Sequence, residues 1–201
     1  DIPLNKLVAV VGPSGCGKST LIHDLLYKEM LKKNKSFNSY ALAQKVSLPP
    51  SSKLSLGEYN LQLLKQEMTK LKSGDVLIVD EPCAGLNKKE SLAVLKLLKK
   101  EVSDGKSVIA VEHSKEIILA ADHIIELGPH AGKYGGELMF QGSQKEFKKS
   151  KTLTAKSLFA KKKEIKKNKI KKNSISIKGI NRYNLKNYDL KFPLNALVCI
   201  Q

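Results

Sequence analysis

The chain has 201 residues, 41% of them hydrophobic and 27% charged, the balance of a globular chain long enough for one buried domain and an appendage. No apolar run approaches the length of a membrane span, and no signal peptide is read at the start. The formal net charge of +17 invites a polyanion partner, but all of the 36 basic residues except Arg182 are lysine. Arginine is the usual choice for bidentate recognition, so a solvated surface and real polyanion contact both stay open.

Strand-like and helix-like runs alternate along the chain, the pattern of an α/β protein with a parallel sheet. Residues 6–11 read as a buried strand and 18–33 as a helix. Between them lies Gly12-Pro13-Ser14-Gly15-Cys16-Gly17-Lys18-Ser19-Thr20, which fits G-x-x-x-x-G-K-[S/T]. In such a P-loop, glycines let the backbone wrap a nucleotide's phosphates. Gly12, Ser14, Gly15, Cys16, Gly17, Lys18, Ser19 and Thr20 therefore form the candidate cradle for ATP. Lys18 supplies charge toward the β- and γ-phosphates, and Ser19 supplies a hydroxyl to Mg²⁺.

Residues 34–56 read as irregular around Pro49-Pro50-Ser51-Ser52, and 57–72 as a helix with Leu61, Leu64, Met68 and Leu71 on one stripe. Residues 75–80 form a second buried strand ending in Asp80-Glu81. An apolar run ending in two acids is common at strand-to-helix turns. After a P-loop it is a Walker B element, with Asp80 on Mg²⁺ and Glu81 orienting the attacking water. Residues 88–102 read as a lysine-faced amphipathic helix, 107–111 as a third strand and 114–121 as a short helix. His113 falls at the carboxyl end of that third strand, the edge where open parallel sheets bind ligands, and can meet the γ-phosphate there. Residues 123–127 and 137–141 read as strands around a glycine-rich loop, and 143–149 as a short helix.

Residues 161–172 hold eight lysines and one glutamate, too charged to fold alone. They read as a linker, with a helical extension as the alternative. Beyond it, Phe192 to Ile200 aligns with Ile2 to Val10 at a constant offset, sharing Pro-Leu-Asn. The expected organisation is an ATPase domain over 1–160, a linker over 161–173, and over 174–201 the start of a second ATPase repeat, cut before its P-loop. The first residue is Asp1, not Met, as in an excised piece. Cys16, Cys83 and Cys199 are odd in number and far apart, which suggests neither disulfides nor a zinc site and favours a reducing, cytoplasmic compartment.

Leu54-Ser55-Leu56-Gly57-Glu58 precedes a helix and resembles the L-S-G-G-E/Q signature of the ATP-binding cassette (ABC) ATPases, with Leu56 where the family has its first glycine. P-loop, signature, Walker B, Ala84-Gly85-Leu86-Asn87 and His113 follow one another in ABC order. The stretches E-L-G-P-H-A-G-K-Y-G-G-E at 126–137, 142–158 and 177–190 are similar to the UvrA family of bacterial excinuclease proteins. The resemblance implies a P-loop NTPase of ABC type, with a mostly parallel sheet flanked by helices and an abbreviated helical subdomain. It also implies ATP held between two ATPase domains, in tandem or as a homodimer, with Ser55, Gly57 and Glu58 reaching the partner's nucleotide and Gln44 standing for the Q-loop ligand of Mg²⁺. Duplex DNA is the further partner it points to. UvrA proteins carry zinc modules in insertions after the first P-loop; here only residues 21–54 fill that gap, without a cysteine, so no zinc is expected. A transporter- or resistance-associated ABC ATPase and a nucleotide-binding interaction module with little turnover are the competing readings.

Overall fold

A computed structural model describes residues 1–33, 39–42, 56–160 and 173–199. The chain divides into two compact units, Asp1–Ala160 and Lys161–Gln201.

The first unit is built on a six-stranded sheet in the order β2-β3-β4-β1-β5-β6. Its strands are β1 (Leu7–Val11), β2 (Ser39–Leu42), β3 (Val76–Asp80), β4 (Ser107–Val111), β5 (His123–Gly128) and β6 (Glu137–Ser143). All pair in parallel except β6, which runs antiparallel to β5 at the edge. Strand β2 corrects the reading of 34–56 as irregular. Its four residues carry too short a pattern to stand out, and pairing with β3, distant in sequence, forms it.

Strands β1, β3 and β4 are buried on both faces, which is why they read as continuous apolar runs. Leu7, Ala9 and Val11 join Leu77, Val79, Val108 and Ala110 on one face. They pack there against Leu64 and Met68 of α2 (Leu56–Met68), Val94 and Leu98 of α3 (Lys88–Ser103) and Ile117 of α4 (Lys115–Ala120). Val8, Val10, Ile78, Ile109 and Val111 turn to the other face, where Ile22 of α1 covers them. Helix α1 is π-helical over Thr20–Tyr27 and α-helical over Lys28–Lys33. Helix α2 stops at Met68 rather than 72, because the chain turns toward β3. Leu71 still reaches the core from that turn.

Helix α3 starts where Asn87 closes a capping box. The Asn87 side chain accepts from the backbone N–H of Lys89 and Glu90, and the Glu90 carboxylate accepts from that of Asn87. The expected short helix near 143–149 is α5 (Gln144–Phe147), and α6 (Leu153–Phe159) follows it without having been foreseen. Phe147 is fully buried between Phe140 and Phe159.

The second unit contains an antiparallel hairpin, β7 (Ser174–Arg182) with β8 (Leu185–Pro193). The lysine-rich run 161–172 lies outside the described residues. Among the described residues, no helix is long and apolar enough to cross a membrane.

Candidate functional site

Parallel pairing brings the chemically interesting residues to one edge of the sheet. Val111 sits opposite Asp80 on β3 and opposite Val10 on β1. The chain segments that follow these three strands are the Asp80-Glu81 turn, Glu112-His113 and the P-loop, and they leave the sheet side by side.

The P-loop backbone needs glycine. Gly12, Gly15 and Gly17 have φ of +142°, +75° and +99°, and a Cβ on Gly12 would lie 2.2 Å from the carbonyl oxygen of Leu127. Lys18 is buried, and its ammonium donates to the carbonyls of Gly12 at 3.0 Å and Pro13 at 2.8 Å. Two of its three N–H groups are used there, which leaves one to reach a ligand in the loop. Ser14 and Thr20 are exposed at the loop surface, and Cys16 is buried beneath it.

Ser19 and Asp80 meet: the Ser19 hydroxyl donates to Asp80 Oδ2 at 3.2 Å. Pattern reading missed a third member, His23, whose Nε2 lies 3.2 Å from the same oxygen. It stands one helical turn after Ser19, and that spacing is the signal that could have found it. The pair suits Mg²⁺, which takes one or two protein oxygens and completes its shell with phosphate and water. Among the described residues, no group of three or more His, Cys, Asp or Glu side chains gathers as a metal cage.

Glu81 has a left-handed φ of +48°, unusual for a side-chain-bearing residue and held by its N–H donating to Val111 O at 2.8 Å. His113 Nε2 lies 3.5 Å from Glu81 Oε1, with both side chains reachable by solvent. An open cavity of about 300 Å³ adjoins them, lined also by Cys83, Leu86, Ser91 and Glu112.

Glu112 is the other residue missed. It is buried, and its carboxylate accepts from the backbone N–H groups of Cys83, His113 and Ser114, each at 2.8 Å. One side chain thus ties the turn after β3 to the turn after β4. An acid closing the apolar run V-I-A-V beside His113 was the available signal. Burial, with the Glu112 charge adding to it, pushes the Cys83 thiol up to about 12.

The signature-like residues stand apart from this group. Gly57 is buried in the first turn of α2, where a Cβ would lie 2.3 Å from Leu86 Cδ2, so its missing side chain admits the turn before α3. Glu58 is exposed on the same helix. Ser55 and Gln44 lie outside the described residues.

The family model for the viral superfamily 1 RNA helicase core domain matches residues 8–95, the span from β1 and its P-loop through β3 into α3. UvrABC system protein A of Aquifex aeolicus is 35% identical over 66% of this chain and 14% of its own length. That of Streptococcus pyogenes is 40% identical over 48% of this chain and 10% of its own. The crystal structure of UvrA2 from Deinococcus radiodurans superposes with a TM-score of 0.58 at 32% identity, covering 70% of this chain and 18% of that one. This chain is a UvrA-like ABC ATPase. The fold recurs at lower identity in the RNase-L inhibitor, with a TM-score of 0.52, 19% identity, and 72% of this chain and 40% of that one covered. It recurs also in an ATP-binding subunit of an ABC transporter, with a TM-score of 0.51, 16% identity, and 74% and 82% covered. The UvrA-like chain spans 14% or less of these two UvrABC system proteins' length.

Replacing Glu112 by glutamine leaves one acceptor oxygen and turns an amide N–H₂ toward a backbone donor. The expected cost is about 1–3 kcal/mol of folding stability, read by urea denaturation. Wild-type stability in Glu112→Gln would contradict the tie.

Proposed function

We propose that this UvrA-like chain binds ATP with Mg²⁺ at the P-loop and hydrolyses it when a second ATPase domain completes the site. The observation that carries the reading is the meeting of Ser19 and Asp80 beside a buried Lys18, the arrangement a metal-bound triphosphate needs. The backbone of Gly12 to Thr20 holds the phosphates, and the free N–H of Lys18 turns to the β- and γ-oxygens. Ser19 and Asp80 would hold Mg²⁺, with Gln44 as the third ligand that the ABC resemblance offers. When bound there, Mg²⁺ would supply positive charge against the charge that develops on the transferred phosphoryl group.

Glu81 accepts the proton of a water whose oxygen bonds to the γ-phosphorus as the bond from that phosphorus to the ADP oxygen breaks. His113, 3.5 Å from the Glu81 carboxylate, keeps the carboxylate aimed and contacts the γ-phosphate. The open cavity beside them admits that water. Ser55, Gly57 and Glu58 grip the nucleotide of the facing domain, which is either the tandem repeat or a second copy. The repeat is supported by conformation as well as sequence. Asn5 and Asn195, at matching places in the two Pro-Leu-Asn segments, both adopt left-handed φ, 53° and 56°. A cytoplasmic setting accords with three free thiols.

Coupling to duplex DNA is the finer part of the proposal. The UvrA resemblance points to it, and the lysines of 161–172 supply phosphate contacts with little base preference.

Glu81→Gln keeps the shape of the side chain and removes the base. Turnover is expected to fall by about 10²–10⁴-fold with ATP affinity retained. Equal turnover in the two proteins would remove Glu81 from the reaction, and turnover absent from both even at concentrations where two copies pair would favour the interaction-module reading. For DNA, log affinity is expected to fall against log salt by about 0.9 per phosphate neutralised, and deletion of 161–172 to flatten that slope without changing ATP binding. An unchanged slope after the deletion, or no binding at low salt, would reduce the tract to a solvated linker.

A further inference from the structure

The glycine-rich loop 128–136 takes no part in the reaction described above, yet it is pressed onto the P-loop. We propose that this loop is a positioning element for phosphate binding, a brace that fixes the direction of the P-loop amides; the inference rests on the nucleotide reading of that loop. Gly132 N–H donates to Gly15 O and Gly136 N–H donates to Cys16 O, each at 3.0 Å. At the root of the loop, the Cys16 thiol donates to Leu127 O at 3.6 Å, and Gly12 packs on the same carbonyl. At its far end, a Cβ on Gly135 would lie 2.5 Å from His130 O and 3.0 Å from Cys16 Cα, so backbone meets backbone there.

Peptide planarity turns these bonds into orientation. In a trans peptide, the C=O of one residue and the N–H of the next point in opposite directions. Holding Cys16 O toward Gly136 aims the Gly17 N–H away from the brace, to the opposite side of that peptide. Holding Gly15 O toward Gly132 turns the Cys16 N–H inward, where it donates to Pro13 O at 3.3 Å. Gly15 and Gly17 have left-handed φ and little stiffness of their own, so without the brace their amides would sample many directions. An anion site made of backbone N–H groups works only when those groups converge before the ligand arrives.

Calorimetric titration of the 201-residue chain with ATP and Mg²⁺ tests the brace. Gly135→Ala adds one methyl that must push the loop off Cys16, and ATP affinity is expected to drop about tenfold, the scale of two lost hydrogen bonds. Gly74→Ala is the control. It strains a φ of +90° at the amino end of β3, with nothing within 4 Å of the new methyl. It should lower the melting temperature and bind ATP as the wild type does. If Gly135→Ala does not fold, Gly136→Ala carries the test. Its methyl meets nothing within 4 Å, its φ of +83° is strained, and a several-fold loss of affinity is expected. Wild-type affinity in the folded Gly135→Ala or Gly136→Ala protein overturns the brace while a parallel Lys18→Ala protein loses binding. Wild-type affinity in Lys18→Ala overturns the P-loop reading and the brace with it.

Discussion

Parallel pairing of β4 with both β1 and β3 is the constraint on which the site depends. Neighbouring strands lie about 4.8 Å apart, so the row Asp80, Val111 and Val10 puts the β3 turn about 10 Å from the root of the P-loop. That gap is one that Ser19, returning at the head of α1, closes with a hydrogen bond to Asp80. A one-residue slip of either pairing would move Val79 or Val108 from one buried face to the other and carry Asp80 away from Ser19. Each face is close-packed around its own set of side chains, so the slip would exchange residues of different size between the two cores. Core packing and site geometry are therefore one property.

Around that edge the loops are held by backbone hydrogen bonds more than by side-chain contacts. Glu112 gathers three N–H groups from two turns, and Gly132 and Gly136 hold two P-loop carbonyls. Backbone anchors would suit a phosphate site, in which backbone amides are the binding groups. The left-handed φ of Glu81 belongs to the same design. Strain at that residue persists because the bond to Val111 O and the neighbouring Glu112 tie determine its position from both sides.

Much of this was legible in the sequence because parallel strands in the middle of a sheet are buried on both faces. L-V-A-V-V, V-L-I-V-D and S-V-I-A-V stand out as strands, and the residues that close them mark the ligand edge. Helix α3 announced itself through its lysine face. What escaped was nonlocal or short. Strand β2 exists by pairing with β3, and α6 is seven residues long. Hairpin β7–β8 has apolar residues interleaved with lysine and asparagine and is broken by register shifts, which blurs its alternation. At the candidate site, Gly12, Lys18, Ser19, Asp80, Glu81 and His113 could be singled out because nucleotide chemistry asks for those residues at those spacings. Glu112 and His23 were not, because each acts on a neighbour that only the fold supplies.

The central claim is that a nucleotide is held by the backbone amides of Gly12 to Thr20. Hydrogen exchange of the chain, followed peptide by peptide by mass spectrometry with and without ATP and Mg²⁺, tests it most directly. The expected result is slowed exchange across residues 12–20 and in the turn at Asp80-Glu81, with the hairpin at 174–193 unchanged. Unaltered exchange across residues 12–20 at saturating ATP would contradict the account.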